Sequence, residues 1–408
     1  MNASEPPLLR AARWCAFGSA ASVLFSIAVS QILLALSLAA LLMSGARLRL
    51  PRIWLPIALW MFATVVSLAL SDQPAAGIPA VRKFYLFLEL LVVFCTFDLV
   101  WTRRLFWAWA GIGASSAVWA CVQFLYRMDQ ARQLGRPFYT YYLANERVTG
   151  FISHWNHFSA QMMFVLLFVV AFLLFADRVN VRTASMAAAC GAVAALGMVL
   201  GFTRSIIFLA CPGALLYLVW WWRRWLVAVL PVVALVGVLM APAPLKERFT
   251  STFHPRKDVD SNDFRRVAFR TGLEMMKAHP WFGVGPERAS DQGGLFNQYV
   301  PKDIPRPLPA GWYGHLHSIY IHYAAERGIP AMLIMVWMLV QIMFDFWRGT
   351  RKLPVRSDVK FVLHAATAVT IGVMMEGFFE LNLGVSPVLS MFLVVVGCGY
   401  VALEKVRA

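Results

Sequence analysis

Charged residues are scarce in this chain: Asp, Glu, Lys and Arg make up 14% of its 408 residues. Soluble globular domains carry about 25% charged residues. The deficit excludes an ordinary soluble enzyme or binding domain.

The cysteines form no pattern that is typical of disulfides or of a metal site. The six cysteines all lie inside apolar runs, and no two of them form a CxxC pair. Isolated cysteines of this kind are small buried hydrophobes, so we expect neither disulfides nor cysteine-based zinc sites.

The chain instead contains many long apolar runs. The chain is 60% apolar, with a mean hydropathy of +0.64. Runs of about 18–25 apolar residues can cross a hydrocarbon core about 30 Å thick. Inside lipid the backbone must pair within its own segment, so each run is expected to be a helix. The predicted fold class is an all-α, polytopic integral membrane protein.

We predict about twelve spans, or eleven if the first two form one long helix. They lie near 14–28, 30–44, 53–71, 82–101, 105–125, 157–176, 183–202, 205–222, 225–241, 318–346, 361–379 and 386–403. The first run follows two arginines, as in a signal peptide, but so many spans follow that we expect an uncleaved first helix.

The distribution of Lys and Arg predicts the orientation. Basic short connections, the strongest being 347–360, alternate with connections that lack Lys and Arg, such as 71–80 and 380–386. Because cytoplasmic connections are enriched in Lys and Arg, both termini are predicted to be cytoplasmic.

Two outward segments, 126–156 and 242–317, are too long to be turns. The second divides the chain into an N-terminal bundle (1–241), a large outer loop (242–317) and a C-terminal group of about three spans (318–408). This loop holds eleven Lys or Arg and eight Asp or Glu. A basic outer vestibule suggests an anionic ligand, such as a phosphate or a lipid diphosphate.

The stretch 261–286 predicts an outer helix over about 262–278. Helical spacing places Arg265 on one face with Phe269, whereas Arg266 and Arg270 lie on a charged face. A charged face is usually just solvated, but an arginine on an apolar face needs a partner in the protein. Arg265 is therefore the strongest functional candidate of the three.

Arg204 lies in an outward turn, "GFTRSIIF", that is otherwise almost uncharged. It could extend its charge to the membrane interface or bind an anionic partner. Arg147 and Asn156 lie in "RVTGFISHWNHFSAQ" (147–161), which leads into the sixth predicted span and could equally be an interfacial belt.

Two metal-site interpretations have weaker support in the sequence. The HxxH of 154–157, together with the HxH of 315–317, could hold zinc, but no carboxylate or cysteine follows at suitable spacing. The DVD of 258–260 resembles the DxD of metal-dependent glycosyltransferases, but it lies in a charged loop where a solvated run is expected.

Three of the eight histidines cluster in "GHLHSIYIHYAAERG" (314–328). A helix beginning near Ser318 places His317 and His322 on different sides, and His315 precedes the helix. We therefore expect one base with helpers rather than three converging ligands; His322 is interpreted as an interfacial residue.

These patterns together resemble the O-antigen ligase family. His317-Ser318, nine residues and Gly328 match its most specific signature, with Ala331 departing at the final place. The stretch ending in "HPWFGVG", the "RVTGFISHWNHFSA" stretch and the outward Arg204 are similar to elements shared with O-antigen polymerases.

The resemblance implies a GT-C-like glycosyltransferase of the bacterial inner membrane, with its active site facing the periplasm. It would move O-antigen from undecaprenyl diphosphate to a sugar hydroxyl of the lipid A core, among membrane lipids and without nucleic acid, metal or cofactor. His317 would be the base, and arginines would bind the diphosphate: Arg147, Arg204, Arg265, Arg266 and Arg270. Supporting roles would fall to His315, Ser318, Asn156 and Tyr320.

Two other functions are alternatives to the ligase. An O-antigen polymerase would share the fold and the donor but use a glycan acceptor. An organic-anion transporter would predict charges near mid-span, for which Glu89 and Glu376 are the main candidates.

Overall fold

A computed structural model describes residues 6–144, 147–254, 262–351 and 353–407. This part of the chain is all helical and contains no strand. The helices are α1 Pro7–Ser22, α2 Ile27–Met43, α3 Trp54–Ala69, α4 Pro74–Arg82, α5 Leu88–Thr96, α6 Leu99–Gln133, α7 Phe138–Ala144, α8 Trp155–Phe175, α9 Val181–Leu200, α10 Cys211–Trp222, α11 Leu230–Met240, α12 Ala243–Thr250, α13 Asn262–Ala278, α14 Phe296–Tyr299, α15 Ile319–Arg327, α16 Ile329–Thr350, α17 Asp358–Glu376 and α18 Ser386–Arg407.

Six helices of the described residues are long and apolar enough to cross a membrane: α6, α8, α9, α16, α17 and α18. Shorter apolar helices occupy Ile27–Met43, Trp54–Ala69, Ile206–Trp222 and Arg224–Gly237. The prediction of a multi-pass helical membrane protein is confirmed, while the number twelve stays a prediction.

The first two helices are separate, which decides between the two predicted arrangements. The Ser26 side chain caps α2 by accepting from the backbone N–H of Val29. The Ser37 hydroxyl donates to the carbonyl of Ala12 over 2.8 Å, and the Ser19 hydroxyl donates to the carbonyl of Ser30 over 2.7 Å. These contacts hold α1 and α2 as an antiparallel hairpin.

Three predicted spans differ from the structure. The predicted 82–101 span is a 3₁₀ turn over 83–87 followed by α5, which ends before Asp98 caps α6. Helix α6 continues to Gln133 because polar side chains bond one turn apart, as Gln133 does to Asp129 over 2.7 Å. The predicted 318–346 span is interrupted at Gly328.

The 242–317 segment carries α12, α13 and α14 and has a small core of its own around Val267, Met275 and Phe296. An ion pair fixes it to the membrane-helix bundle, since both carboxylate oxygens of Asp72 accept from the buried Arg288, over 3.0 and 2.7 Å. Helices α8, α17 and α18 form the buried centre of the bundle.

Candidate active site

A cavity of about 580 Å³ lies where the ends of several helices meet the 242–317 segment. Four arginines and one carboxylate line it among the described residues: Arg147, Arg204, Arg248, Arg265 and Glu380. Aromatic side chains, among them Trp155, Phe208, Phe249 and Phe379, form much of the remaining wall. We call it the arginine cavity.

The turn after α9 orients two of the arginines. Phe202 has a positive φ of 52°, and its carbonyl accepts from Arg248 Nε over 2.9 Å and from Arg147 Nη1 over 3.3 Å. The Arg147 guanidinium also lies 4.3 Å from the centre of the Trp155 ring. Fixed carbonyls and a ring thus set the direction of both side chains.

Arg204 is held by residues of the 242–317 segment. Its Nη1 donates to the carbonyl of Ser251 over 2.8 Å, and its Nη2 donates to the side-chain oxygen of Asn262. The segment therefore closes over the turn that carries Arg204.

The crowding of these cations has an electrostatic consequence. Burial and the neighbouring charge of Arg248 lower the pKa of Arg147. Like charges in a partly dehydrated cavity repel one another, and a bound anion would relieve that repulsion. The cavity is suited to an anion that accepts several hydrogen bonds.

Arg265 and Glu380 form the side of the cavity nearest His317. Arg265 donates to the carbonyl of Phe379 over 2.6 Å and to the carboxylate of Glu380. Glu380 Oε2 lies 3.9 Å from His317 Nδ1, and both side chains are about nine-tenths buried. Burial alone would raise the pKa of Glu380, but Arg265 and His317 hold it well below its ordinary value.

The imidazole of His317 has a defined hydrogen-bonding direction. Its Nε2 lies 3.1 Å from the carbonyl oxygen of Trp312. A carbonyl only accepts, so Nε2 carries the proton, and in the neutral ring Nδ1 keeps its lone pair. Nδ1 has no hydrogen-bond partner among the described residues. The ring can therefore accept a proton on the side that faces Glu380.

The backbone of His317 is strained. Its φ is 50°, a conformation that L residues rarely adopt outside functional sites, and its N–H donates to His315 Nδ1 over 3.0 Å. The N–H of Ile319 donates to the carbonyl of Gly377 over 2.8 Å, which ties the start of α15 to the end of α17.

The nine-residue spacing between Ser318 and Gly328 has a structural explanation. Ser318 precedes α15, as predicted, and α15 is nine residues long. Gly328 ends it with a φ of 88°, and an added Cβ would lie 2.1 Å from the carbonyl oxygen of Trp281. The spacing sets the length of the helix that follows His317.

The predicted "HPWFGVG" stretch packs against the end of this helix. The N–H of Val284 donates to the carbonyl of Ala325, and that of Gly285 to the carbonyl of Glu326, both over 2.9 Å. A Cβ on Gly283 would lie 2.2 Å from the carbonyl carbon of Glu326. The "HPWFGVG" stretch and the segment that ends at Gly328 therefore contact each other through their backbones.

The structure brings Arg147, Arg204 and Arg265 together but leaves two predicted arginines outside the cavity. Arg266 is exposed. Arg270 pairs with both carboxylate oxygens of Asp303, over 2.8 and 2.9 Å, on the surface.

The face predicted for Arg265 was also wrong. The buried stripe of α13 consists of Val267, Ala268, Thr271, Gly272 and Met275, whereas Phe269 is exposed. The helix is packed by its small residues against α15, so Arg265 lies at the border of the stripe, where it reaches Glu380.

The predicted supporting residues make different contacts. The Tyr320 hydroxyl donates to the carbonyl of Met374 over 2.8 Å, a contact that joins α15 to α17. Ser318 is buried, and its side chain forms no capping hydrogen bond. Asn156 is buried at the start of α8, and its Oδ1 has no partner in the described part of the chain.

The three clustered histidines are closer together than predicted. The ring of His315 lies 4.2 Å from that of His317 and 6.3 Å from that of His322, between centroids. His322 is buried, with Nε2 3.3 Å from Glu326 Oε2, so its interpretation as interfacial was wrong. The ring of His315 lies near both other rings because the turn at His317 brings His315 close to α15.

No group of three His, Cys, Asp or Glu residues within the described ranges is placed to hold a metal ion. His154 and His157 lie side by side, 4.6 Å apart between ring centroids. The DVD sequence at 258–260 lies outside the described residues.

Sequence reasoning missed three residues of the site: Glu380, Arg248 and Asn262. Glu380 is the only charged residue in the predicted outward connection 380–386, a signal that could have identified it. Arg248 and Asn262 reach the site through contacts with residues more than 40 positions away in sequence. No local pattern indicates such contacts.

Fold and site together define a multi-pass α-helical membrane protein with a buried basic cavity and an adjoining histidine–carboxylate pair. Residues 189–336 match a family model described as O-antigen ligase. This match confirms the predicted resemblance to the O-antigen ligase family, whose members are membrane glycosyltransferase-like ligases and polymerases. The matched residues include Arg204, Arg248, Arg265 and His317, while Arg147 and Glu380 lie outside them. No curated protein matches the chain significantly.

Proposed function

We propose that this protein is the ligase that transfers O-antigen from undecaprenyl diphosphate to a sugar hydroxyl of the lipid A core. The observation that carries the proposal is the adjacency of two parts: a cavity with four arginines, and a buried histidine whose unpartnered Nδ1 lies 3.9 Å from Glu380 of the cavity wall. The arginine cavity suits a lipid diphosphate, and the histidine suits an alcohol that must lose its proton.

The leaving group sets the first requirement. When the bond between the sugar C1 and the phosphate oxygen breaks, the electron pair stays on the diphosphate, whose negative charge rises. Arginines stabilise such charge by forked hydrogen bonds in a partly dehydrated cavity. Arg147, Arg204 and Arg265 would bind the diphosphate, and Arg248 adds a fourth positive charge beside Arg147.

The acceptor sets the second requirement. Its hydroxyl oxygen attacks C1 while His317 Nδ1 takes the hydroxyl proton, so the new glycosidic bond forms as the old one breaks. The resulting imidazolium would be stabilised by the carboxylate of Glu380 at 3.9 Å. A single displacement of this kind inverts the configuration at C1.

The proposed setting is the inner membrane, with both termini cytoplasmic and the site facing the periplasm. The site lies at one end of the bundle, where α8 and α18 begin and α9 and α17 end. This is the end that the distribution of Lys and Arg assigns to the outside.

The test is transfer by purified protein in liposomes, with polyprenyl-diphosphate-linked glycan as donor and lipid A-core as acceptor. His317→Ala should abolish transfer while elution and melting temperature stay unchanged, because the side chain supplies the base. His279→Ala is the control, since His279 is an exposed histidine of the 242–317 segment that contacts Tyr299. A fully active His317→Ala protein would refute the mechanism.

A deletion strain separates the ligase from a polymerase. Loss of a ligase leaves bare core on a lipopolysaccharide gel, whereas loss of a polymerase leaves core carrying one repeat unit. The transporter alternative receives no support from Glu89, which is buried on α5 with its Oε1 2.6 Å from the Ser19 hydroxyl oxygen of α1.

A further inference from the structure

A second cavity, of about 240 Å³, adjoins the site on the side away from the arginine cavity. Five aromatic residues line it, and we call it the aromatic cavity: Trp60, Phe84, Phe87, Trp312 and Tyr323. The proposed mechanism gives no role to it or to the charged groups in its wall.

A common wall separates the two cavities. Glu380 lines the arginine cavity, and the next residue, Leu381, lines the aromatic cavity. His315 also lines the aromatic cavity, and its ring lies 4.2 Å from that of His317, which faces Glu380. His317 is therefore within contact distance of the walls of both cavities.

The charges of the two cavities differ. The arginine cavity has four cations and one carboxylate, whereas Lys83 and Arg327 in the aromatic cavity are balanced by Glu287 and Glu326. Burial and the neighbouring histidines lower the pKa of His315, so it adds no positive charge at neutral pH. An uncharged ligand fits the aromatic cavity better than an anion does.

Unpartnered polar atoms in its wall specify that ligand further. Arg327 Nε and Nη1 are buried donors without a hydrogen-bond partner among the described residues. His322 Nε2 faces a carboxylate oxygen of Glu326 at 3.3 Å, so it carries the proton and leaves Nδ1 as a buried, unpartnered acceptor. Donors and an acceptor together match a hydroxyl, which both accepts and donates, while a phosphate dianion could not donate to Nδ1.

We infer that the aromatic cavity binds one uncharged sugar ring of the acceptor next to His315, whose ring contacts that of His317. This inference rests on the proposed function and names its acceptor subsite. The volume is slightly below the roughly 300–1,000 Å³ that encloses a drug-sized ligand, which leaves room for one ring rather than an oligosaccharide. Aromatic walls with a few fixed polar groups are the usual makeup of such a site.

A pair of space-filling variants tests the assignment. Ala80 is buried in the wall of the aromatic cavity, and Ser205 lines the arginine cavity. Ala80→Leu should raise the acceptor KM about tenfold or more and leave the donor KM within about twofold, because only the acceptor subsite loses volume. Ser205→Leu should do the reverse.

Arg327→Gln removes the unpartnered donors without filling the cavity. We expect a rise in acceptor KM of about tenfold to a hundredfold, the usual effect of losing a hydrogen bond to a charged group. The inference is overturned if Ala80→Leu and Arg327→Gln leave the acceptor KM unchanged, or raise the donor KM equally.

A labelling experiment covers the case in which those variants do not fold. In Ala80→Cys, the rate of maleimide labelling is compared with that of wild type to subtract the native cysteines. Core oligosaccharide freed of its lipid should slow this labelling, and inorganic diphosphate should not. Equal protection by both probes, or by neither, would overturn the inference.

A different result would refute the proposed function. If wild-type protein extends glycans on undecaprenyl diphosphate and transfers nothing to lipid A-core, the ligase proposal is wrong. The same three variants then test the aromatic cavity with that glycan as the acceptor, and the criteria on acceptor KM are unchanged.

Discussion

Replacing Glu380 with glutamine should slow the transfer reaction without weakening donor binding. The carboxylate lies 3.9 Å from His317 Nδ1, and both side chains are about nine-tenths buried. At an effective dielectric constant of about 20, opposite unit charges at this separation attract by about 4 kcal/mol. Glutamine keeps the shape of the side chain and removes this attraction for the imidazolium.

The expected effect on rate follows from that figure. About 4 kcal/mol lost from the transition state corresponds to roughly a thousandfold in rate. Water in the adjoining cavity reduces the attraction, so we expect kcat for Glu380→Gln to fall between about tenfold and a thousandfold. The donor KM should not rise, because Arg265 loses its anionic partner and its charge becomes available to the diphosphate.

The assay is single-turnover transfer in liposomes with donor and acceptor both saturating, alongside a matched control. Glu376 is fully buried one turn earlier and bonds to Asn382 over 3.2 Å. Glu376→Gln should therefore keep a rate near that of wild type. A Glu380→Gln protein with the wild-type rate would refute the role of the carboxylate, and so would an equal loss in both variants.

Three further outcomes are expected. Gly328→Ala should destabilise the protein by at least about 2 kcal/mol in a detergent melt, since φ is 88° and the new Cβ would meet Trp281; Gly45→Ala, with a φ of 66° and open space, should cost less. Arg204→Ala should raise the donor KM about tenfold or more, while Arg270→Ala should leave it unchanged, because that side chain pairs with Asp303 at the surface. The depressed pKa of Glu380 implies a stability contribution that is present above about pH 4.3 and lost as the pH falls through the lower folded pKa; wild type should therefore lose melting temperature faster than Glu380→Gln below about pH 4. Equal acid sensitivity would contradict this assignment.

Hydropathy and motif spacing predicted the parts of the molecule that depend on local sequence. The start of α15 after Ser318 and the bounds of α13 at Asn262–Ala278 follow from local signals for the start and end of a helix. Helix breaks were harder to predict. The interruption of the 82–101 run depends on Asp98 capping the next helix, a weak signal inside an apolar stretch.

The parts that escaped prediction depend on tertiary contacts. Glu380 faces Arg265 from 115 residues away in sequence. The alignment of His317, His315 and His322 depends on a positive φ at a histidine, where a helical projection assumes regular geometry. The phase error on α13 arose because its small residues, rather than its large apolar ones, face α15.

The contact between Gly283 and the end of α15 has a consequence for exchanging parts between members of the family. Helix α15 is joined at one end to the 242–317 segment through Val284, and at the other to α17 through Ile319. In a chimera that takes the 242–317 segment from a relative, Gly283 and Trp281, which contact the end of α15, would be replaced by the residues of that relative. The segment is therefore expected to transfer between proteins only together with the helix that ends at Gly328, so that donor specificity and the position of the base are inherited as a unit.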